Sequence, residues 1–306
     1  MAMKSLGPVL VTGANTGIGR AITEMLAESG HLVYATARRK TALQELARIP
    51  NVTPMMLDVR RPSDVKRVAE AVKKKGAGLH GLVNNAGIGY DWPVVEETVD
   101  ELYNVFDVNV FGAHRMIQAL LPFLVKSAGR IVNVSSISGF GVSRYLGSYQ
   151  MTKHALEIYS DSLALTLKRY GVTVCLIEPG NFRSAMMANM VEVTRNMARS
   201  HRLILMKKEV REILRGLDKG VEDDLKCATP VPVAESVMDA LYSTRPKRRY
   251  MVATDKGDTD WAVDALLLKL VQANNGSSFS LSRREMHTRM DKIWDKETKG
   301  SPRCPD

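Results

Sequence analysis

Short apolar runs alternating with helical patterns constrain this chain more than any other feature. The runs fall at residues 9–12, 32–36, 53–57, 82–83, 131–134 and 172–177, with a further one at 250–253. Between them apolar residues recur at helical spacing, as at Ile22, Met25 and Leu26. The runs show almost no polar alternation, which is the mark of strands buried on both faces. Strands that alternate with helices connect by right-handed crossovers. The pattern predicts an α/β fold: a doubly wound parallel sheet of about seven strands with helices on both faces. A hydrophobic fraction of 45% in 306 residues is enough for one large domain to bury its own core. No internal repeat or low-complexity tract divides the chain, so a single domain over 1–306 is expected.

Two stretches depart from the alternation. Residues 185–226 are rich in Met, Arg, Lys and Glu, at helical spacing and without a strand. They read as a helical insertion, a lid over the substrate. Residues 255–306 read as a C-terminal helical extension. It holds a capping box, Ser282 to Glu285, followed by Met286, Met290, Ile293 and Trp294 on one helical face. That face is expected to pack on the main domain or on a second subunit.

Several classes are set aside by composition. The net charge is +10, but the basic residues are spread along the chain and the densest cluster is Lys247-Arg248-Arg249. Nucleic-acid binding is therefore not expected. Cys175, Cys227 and Cys304 form no ligand cluster and the six histidines are dispersed, so no metal is expected and a reducing compartment fits. Residues 1–8 lack a secretory apolar core. The run 262–273 is broken by Asp264, Lys269 and Gln272, too short and polar to span a bilayer. A cytoplasmic protein without an integral membrane segment is the expectation.

After the first apolar run comes Thr12-Gly13-Ala14-Asn15-Thr16-Gly17-Ile18-Gly19. Glycines here permit a tight turn, close approach to a pyrophosphate and packing of helix on strand, with the helix N-terminus facing the phosphates. Asn84-Asn85-Ala86-Gly87 follows the fourth run, and Asn109 sits in the next helix. Ser135-Ser136 ends the fifth, Tyr149 to Lys153 forms YxxxK, and Pro179-Gly180 follows the sixth. In this order, from about residue 6 to residue 185, the landmarks resemble the short-chain dehydrogenase/reductase family. The resemblance implies a Rossmann fold and hydride transfer between a nicotinamide cofactor and an alcohol/carbonyl pair.

Carbonyl reduction needs hydride on carbon and a proton on oxygen. Tyr149 and Lys153 share a helical face one turn apart, and a nearby ammonium is expected to lower the phenol from its usual pKa of about 10. By the resemblance, Tyr149 is the general acid/base, Lys153 also bonds the nicotinamide ribose, Ser136 holds the substrate oxygen, and Asn109 anchors a water relaying protons to Lys153. Ser135 and Ser138 flank Ser136, His154 points elsewhere, and Tyr145 is a candidate for the pocket lining. The absence of a G-x-S-x-G elbow argues against hydrolysis.

The cofactor site is expected at Gly13, Asn15, Thr16, Gly17, Ile18 and Gly19, with Arg38 and Arg39 after the second strand and Asp58 and Val59 beside the adenine. Asn85, Ala86, Gly87, Tyr149, Lys153, Pro179, Gly180, Phe182 and Ser184 complete it. Where an NAD enzyme normally carries an acid, this chain has Ala37 followed by Arg38, Arg39 and Lys40. NADP(H) is expected over NAD(H), because no carboxylate there repels a 2′-phosphate.

The stretch Ile177 to Arg183 is similar to the branch holding retinol, 17β-hydroxysteroid and 3-hydroxybutyrate dehydrogenases. Met186, Met187, Met190, Met197 and Met206 offer a soft lining. A hydroxysteroid- or retinoid-like substrate is expected; a small ketone or 3-hydroxy acid is the alternative, and a non-catalytic NADP-binding redox sensor is the alternative of another class. A homodimer or homotetramer is expected, through the helices after strands four and five, with Phe111, Met116, Leu120, Leu156 and Leu163 as apolar area.

Overall fold

The computed structural model describes residues 7–76 and 78–300; Cys304, residues 1–6 and the end of the C-terminal extension lie outside the described residues. The first half runs β1 (Val9–Val11), α1 (Gly17–Glu28), β2 (Val33–Ala37), α2 (Lys40–Leu46), β3 (Val52–Met56), α3 (Pro62–Lys75), β4 (Gly81–Asn84), α4 (Val99–Phe106), α5 (Ala113–Lys126) and β5 (Arg130–Val134). The second half runs α6 (Gly147–Leu167), β6 (Thr173–Pro179), α7 (Ala185–Ser200), α8 (Lys207–Lys226), α9 (Val231–Tyr242), β7 (Arg249–Val252), α10 (Lys256–Asn274) and α11 (Arg283–Asp295).

Among the described residues the sheet has seven strands in the order β3-β2-β1-β4-β5-β6-β7, every pair parallel. This is the doubly wound Rossmann architecture. All seven strands lie within a residue or two of the apolar runs. Pro54 lies in β3, at the sheet edge, where a missing N–H is tolerated. The order reverses between β1 and β4, and the crevice above that switch point is where such sheets bind ligands.

Successive strand residues point to opposite faces, and each face has its own core. Val9 and Val11 pack with Val83, Val132, Ile22, Leu26, Val237 and Leu241, under α1 and α9. Leu10 packs with Leu82, Ile131, Val68, Met116 and Leu120, under α3 and α5. Burying a single such side chain is worth about 1.5–3 kcal/mol, so this two-faced core holds the strand ends, and the site above them, in register.

The helical run Val99–Lys126 is long and apolar enough to cross a membrane by length and composition, with mean hydropathy 1.3. In this fold it is a core helix, for Val105, Met116, Ile117, Leu120 and Leu124 are buried. Met116, Leu120 and Leu156 therefore do not supply interface area as the sequence pattern suggested. The large apolar residues those helices expose include Val99, Tyr103, Phe111, Met151, Ile158 and Leu165.

The segment 185–226 forms the helix pair α7 and α8. Its tip is pinned, because the buried Glu96 carboxylate accepts the backbone N–H groups of Ile204, Leu205 and Met206, each at 2.7 Å. Met197 and Val210 pack there with Tyr90, Trp92 and Val105, and His201 Nε2 lies 2.9 Å from Glu101. In the C-terminal extension the Ser282–Glu285 capping box forms as expected. The apolar face of α11 does not pack on the main domain, however. Met290, Ile293 and Trp294 are all exposed.

Candidate active site

Four strand ends converge on one crevice. At the end of β1, Gly13 and Gly17 adopt φ of +64° and +53°, which disfavour side chains. A Cβ on Gly19 would collide with Gly13 O and Asn85 Nδ2. The turn is held from β4: Asn85 Nδ2 donates to Thr12 O at 3.0 Å and Gly13 O at 3.1 Å, and the Asn85 and Ala86 amides donate to Thr12 Oγ1. The Asn85 side chain thus shapes the glycine turn. Thr16 is exposed at the α1 N-cap and its hydroxyl caps nothing.

The N-terminus of α7 meets this turn, for a Cβ on Gly17 would lie 3.0 Å from Ser184 Cβ. Two helix N-termini and a bare glycine backbone form a cradle suited to a pyrophosphate. Arg38 and Arg39 are exposed beyond β2. Arg38 is close enough to act on Asp58, which is held well below the usual carboxylate range, chiefly by its hydrogen bond with Arg60. Val59 and Phe182 are buried in the core, so Phe182 contributes packing at this site. Ile18 and Asn15 lie half-buried along the turn, and Gly87 packs near Asn109 Oδ1. The cradle, the Arg38 side and the strand ends fit a nicotinamide dinucleotide.

Ser136 lies just past β5, Tyr149 and Lys153 on the first turns of α6. Ser136 Oγ donates to Pro179 O at 3.4 Å, at the end of β6, and accepts Ser138 N at 3.1 Å; it lies close enough to Tyr149 to favour the charged form of the phenol. Lys153 Nζ sits 5.3 Å from the centre of the Tyr149 ring and donates to Val134 O at 2.9 Å.

One expectation is reversed. Burial pushes the Tyr149 phenol up to about 12, against the effect of Ser136. Burial also brings Lys153 down to about 8, against the pull of Glu157 one turn further along α6. Desolvation opposes both charged forms, so in this structure the ammonium does not lower the phenol. A phenol that stays protonated near neutrality is fitted to deliver its proton.

Asn109 lies in a π-helical turn, Asp107–Gly112, between α4 and α5. Such turns recur at functional sites. Its side chain accepts from Ile88 N at 2.8 Å and donates to Ile88 O and Thr152 Oγ1, both at 2.9 Å. It therefore clamps the loop after β4. Beside it is a small, partly open cavity of about 10 Å³, lined by apolar residues and by Thr12, Asn84, Asn109 and Lys153. Asn84 Oδ1, on that wall, has no protein partner. The cavity matches one water molecule with polar neighbours.

A network that the sequence pattern did not reveal lies beneath Lys153. Arg249, on β7, bonds Glu157, Asp161 and Glu178. Arg248 reaches Asp161 and two backbone carbonyls. Glu178 is raised well above the usual carboxylate range by burial and by the neighbouring Glu157.

On the open side of Ser136 is a cavity of about 420 Å³, lined among others by Ser138, Ser143, Asn181, Asp258 and Trp261. Asp258 and Trp261 belong to α10, and no local pattern singled them out. Of the methionines, Met190 and Met197 are core residues, while Met186 Cε comes within 3.4 Å of a Cβ placed on Gly89, which also faces the Tyr149 ring. Tyr145 packs with Val191, Ile213 and Leu217 under the α7–α8 pair. His154 turns away, its ring bonded to Gln150 O and Lys269.

The family model described as short chain dehydrogenase matches residues 8–194. A 3-ketodihydrosphingosine reductase from Bacteroides thetaiotaomicron is 34% identical over 59% of this chain and 66% of its own length. An NADPH-dependent 3-dehydrocapnine reductase from Ornithobacterium rhinotracheale is 34% identical over 81% of this chain and 88% of its own. The chain spans 57% of human retinol dehydrogenase 5, at 35% identity. A short-chain dehydrogenase from Streptomyces avermitilis has a similar solved structure, with TM-score 0.70 and 28% identity, covering 95% of this chain and 98% of that one. The chain belongs to the short-chain dehydrogenase/reductase family and is an oxidoreductase acting on alcohol and ketone groups.

Proposed function

We propose that this protein is an NADP(H)-dependent ketone reductase, with Tyr149 as the proton donor. The observation that carries this reading is the convergence of Ser136, Tyr149 and Lys153 beside the glycine cradle. The nicotinamide, when bound, supplies the hydride. Ser136 Oγ orients the carbonyl oxygen, and Tyr149 Oη gives it a proton. Lys153 Nζ holds the ribose hydroxyls and returns a proton to Tyr149 through the water-sized cavity beside Asn109. At neutral pH Tyr149 is protonated, the form that reduction requires. Exposed Arg38 and Arg39, with no acid at Ala37, support NADP(H). The name of the Ornithobacterium relative carries the same cofactor.

The substrate in this reading is an amphiphile, its apolar body near Met186 and its polar end among Ser138, Ser143 and Asn181. A retinoid- or steroid-like alcohol meets the first half of that description better than the second. The chain acts as one domain, with α10 walling one side of the pocket through Asp258 and Trp261.

NADPH oxidation with a panel of amphiphilic ketones tests this. Replacing Tyr149 with Phe is expected to lower turnover by about 10²–10⁴, with cofactor affinity by fluorescence titration nearly intact. Wild-type turnover in Tyr149→Phe overturns the mechanism. Tight NADPH binding with no turnover of any ketone favours a redox sensor instead.

A further inference from the structure

The wall of the substrate cavity contributed by α10 carries an unusual pair. Asp258 and Trp261 are three residues apart, so they share one helical face, and both line the cavity that Ser136 opens into. The position of Asp258 is fixed. Its carboxylate accepts Asn181 N and Asn181 Nδ2, each at 2.8 Å, and overlies Gly180, where a Cβ would strike it. The Trp261 ring lies on Gly141 in the same way. Both side chains of the pair are thus held against bare glycine backbone at this cavity.

The carboxylate is not neutralised. Asp258 enters no ion pair among the described residues, and Lys256, the nearest basic residue along α10, pairs with Asp260. A carboxylate has about four lone-pair sites, so the two bonds to Asn181 leave capacity for another donor. An indole and a carboxylate lining one cavity suit a primary ammonium, which combines a charge-assisted hydrogen bond with a cation–π contact. The remaining wall, Ser138, Ser143 and Asn181, offers hydroxyl and amide groups to the polar end of the same ligand.

We propose that Asp258 and Trp261 form an ammonium-binding subsite and that the substrate is an amino ketone, with its amine within a few bonds of the carbonyl held by Ser136. This rests on the ketone-reductase reading above. The subsite lies outside the residues matched by the family model, which end at 194.

The test compares an amphiphilic 2-amino-3-ketone with the same ketone lacking the amine, and the two corresponding alcohols. NADPH oxidation gives the ratio of the two kcat/KM values. Calorimetry on cofactor-loaded protein gives the ratio of the two alcohol affinities. The wild type is expected to prefer the ammonium compound in both. Asp258→Asn is expected to reduce each preference about tenfold or more, and Trp261→Leu about two- to fivefold. Because each preference is a ratio within one protein preparation, a partly unfolded variant does not mimic the effect.

An unchanged preference in Asp258→Asn overturns the subsite, as does a wild type indifferent to the amine. Turnover of both ketones with equal kcat/KM refutes the inference while the reductase reading stands. If neither ketone is turned over but the alcohols still bind with an amine preference that Asp258→Asn removes, the subsite stands and the reductase reading falls.

Discussion

At the scale of single residues the site is governed by desolvation. Tyr149 and Lys153 are both pushed toward their neutral forms by burial, and Glu157 is the group that opposes this at Lys153. Removing the Glu157 charge therefore lowers the Lys153 pKa below its value of about 8. In Glu157→Gln the alkaline limb of the kcat–pH profile is expected to move to lower pH, with KM for the cofactor little changed. A purely structural role for Glu157 predicts lower activity at every pH and no displacement of the limb. The cofactor reading belongs to this scale as well. Ala37→Asp combined with Arg38→Ala is expected to reverse the preference from NADPH to NADH, because a carboxylate repels the 2′-phosphate and bonds a free 2′-hydroxyl. A wild type that already prefers NADH in a fluorescence titration would defeat it.

At the scale of elements, the strands and the catalytic trio were legible because each depends on local pattern. Apolar runs such as Val9–Val11 report burial on both faces, and Tyr149 and Lys153 are neighbours on one helix. What the sequence hid depends on contacts far apart in the chain. Arg249 meets Glu157 and Glu178 across 92 and 71 residues, and Asp258 meets Asn181 across 77. Phe182 was assigned to the cofactor from its position after Gly180, yet its ring is in the core.

The α7–α8 pair shows the same limit. Its methionine content suggested a mobile lid, whereas Glu96 anchors its tip from another loop. Burial pushes the Glu96 carboxyl upward, but three backbone N–H donors outweigh that and hold it below its ordinary value. A depressed pKa means that its contribution is present above about pH 4.5 and fades as pH falls through the folded-state value. Glu96→Gln is expected to speed hydrogen exchange at Ile204 to Met206 about tenfold, the equivalent of one lost charge-assisted bond. Unchanged protection there would show that the apolar contacts of Met197 and Val210 hold the tip unaided.

At the scale of the whole molecule, the exposed apolar residues set an expectation for assembly. Ile158 and Leu165 on α6, with Tyr103 on α4 and Phe111 in the π-turn, remain uncovered in a single chain. A symmetric pairing through this surface would bury them. Light scattering at micromolar concentration is expected to report a dimer, and Ile158→Glu with Leu165→Glu to report a monomer. A wild-type monomer would remove this surface from consideration.

The pocket wall on α10 has a consequence for how such a protein diversifies. The groups proposed to perform the reaction lie between residues 109 and 153, and the α10 part of the pocket wall lies about a hundred residues later. Mutation, exchange or remodelling of the tail can therefore change which molecule is accepted without touching the acid that acts on it. The part of the wall on α10 lies on a stretch heritable apart from the proposed catalytic groups, and a lineage can vary it while its chemistry stays the same.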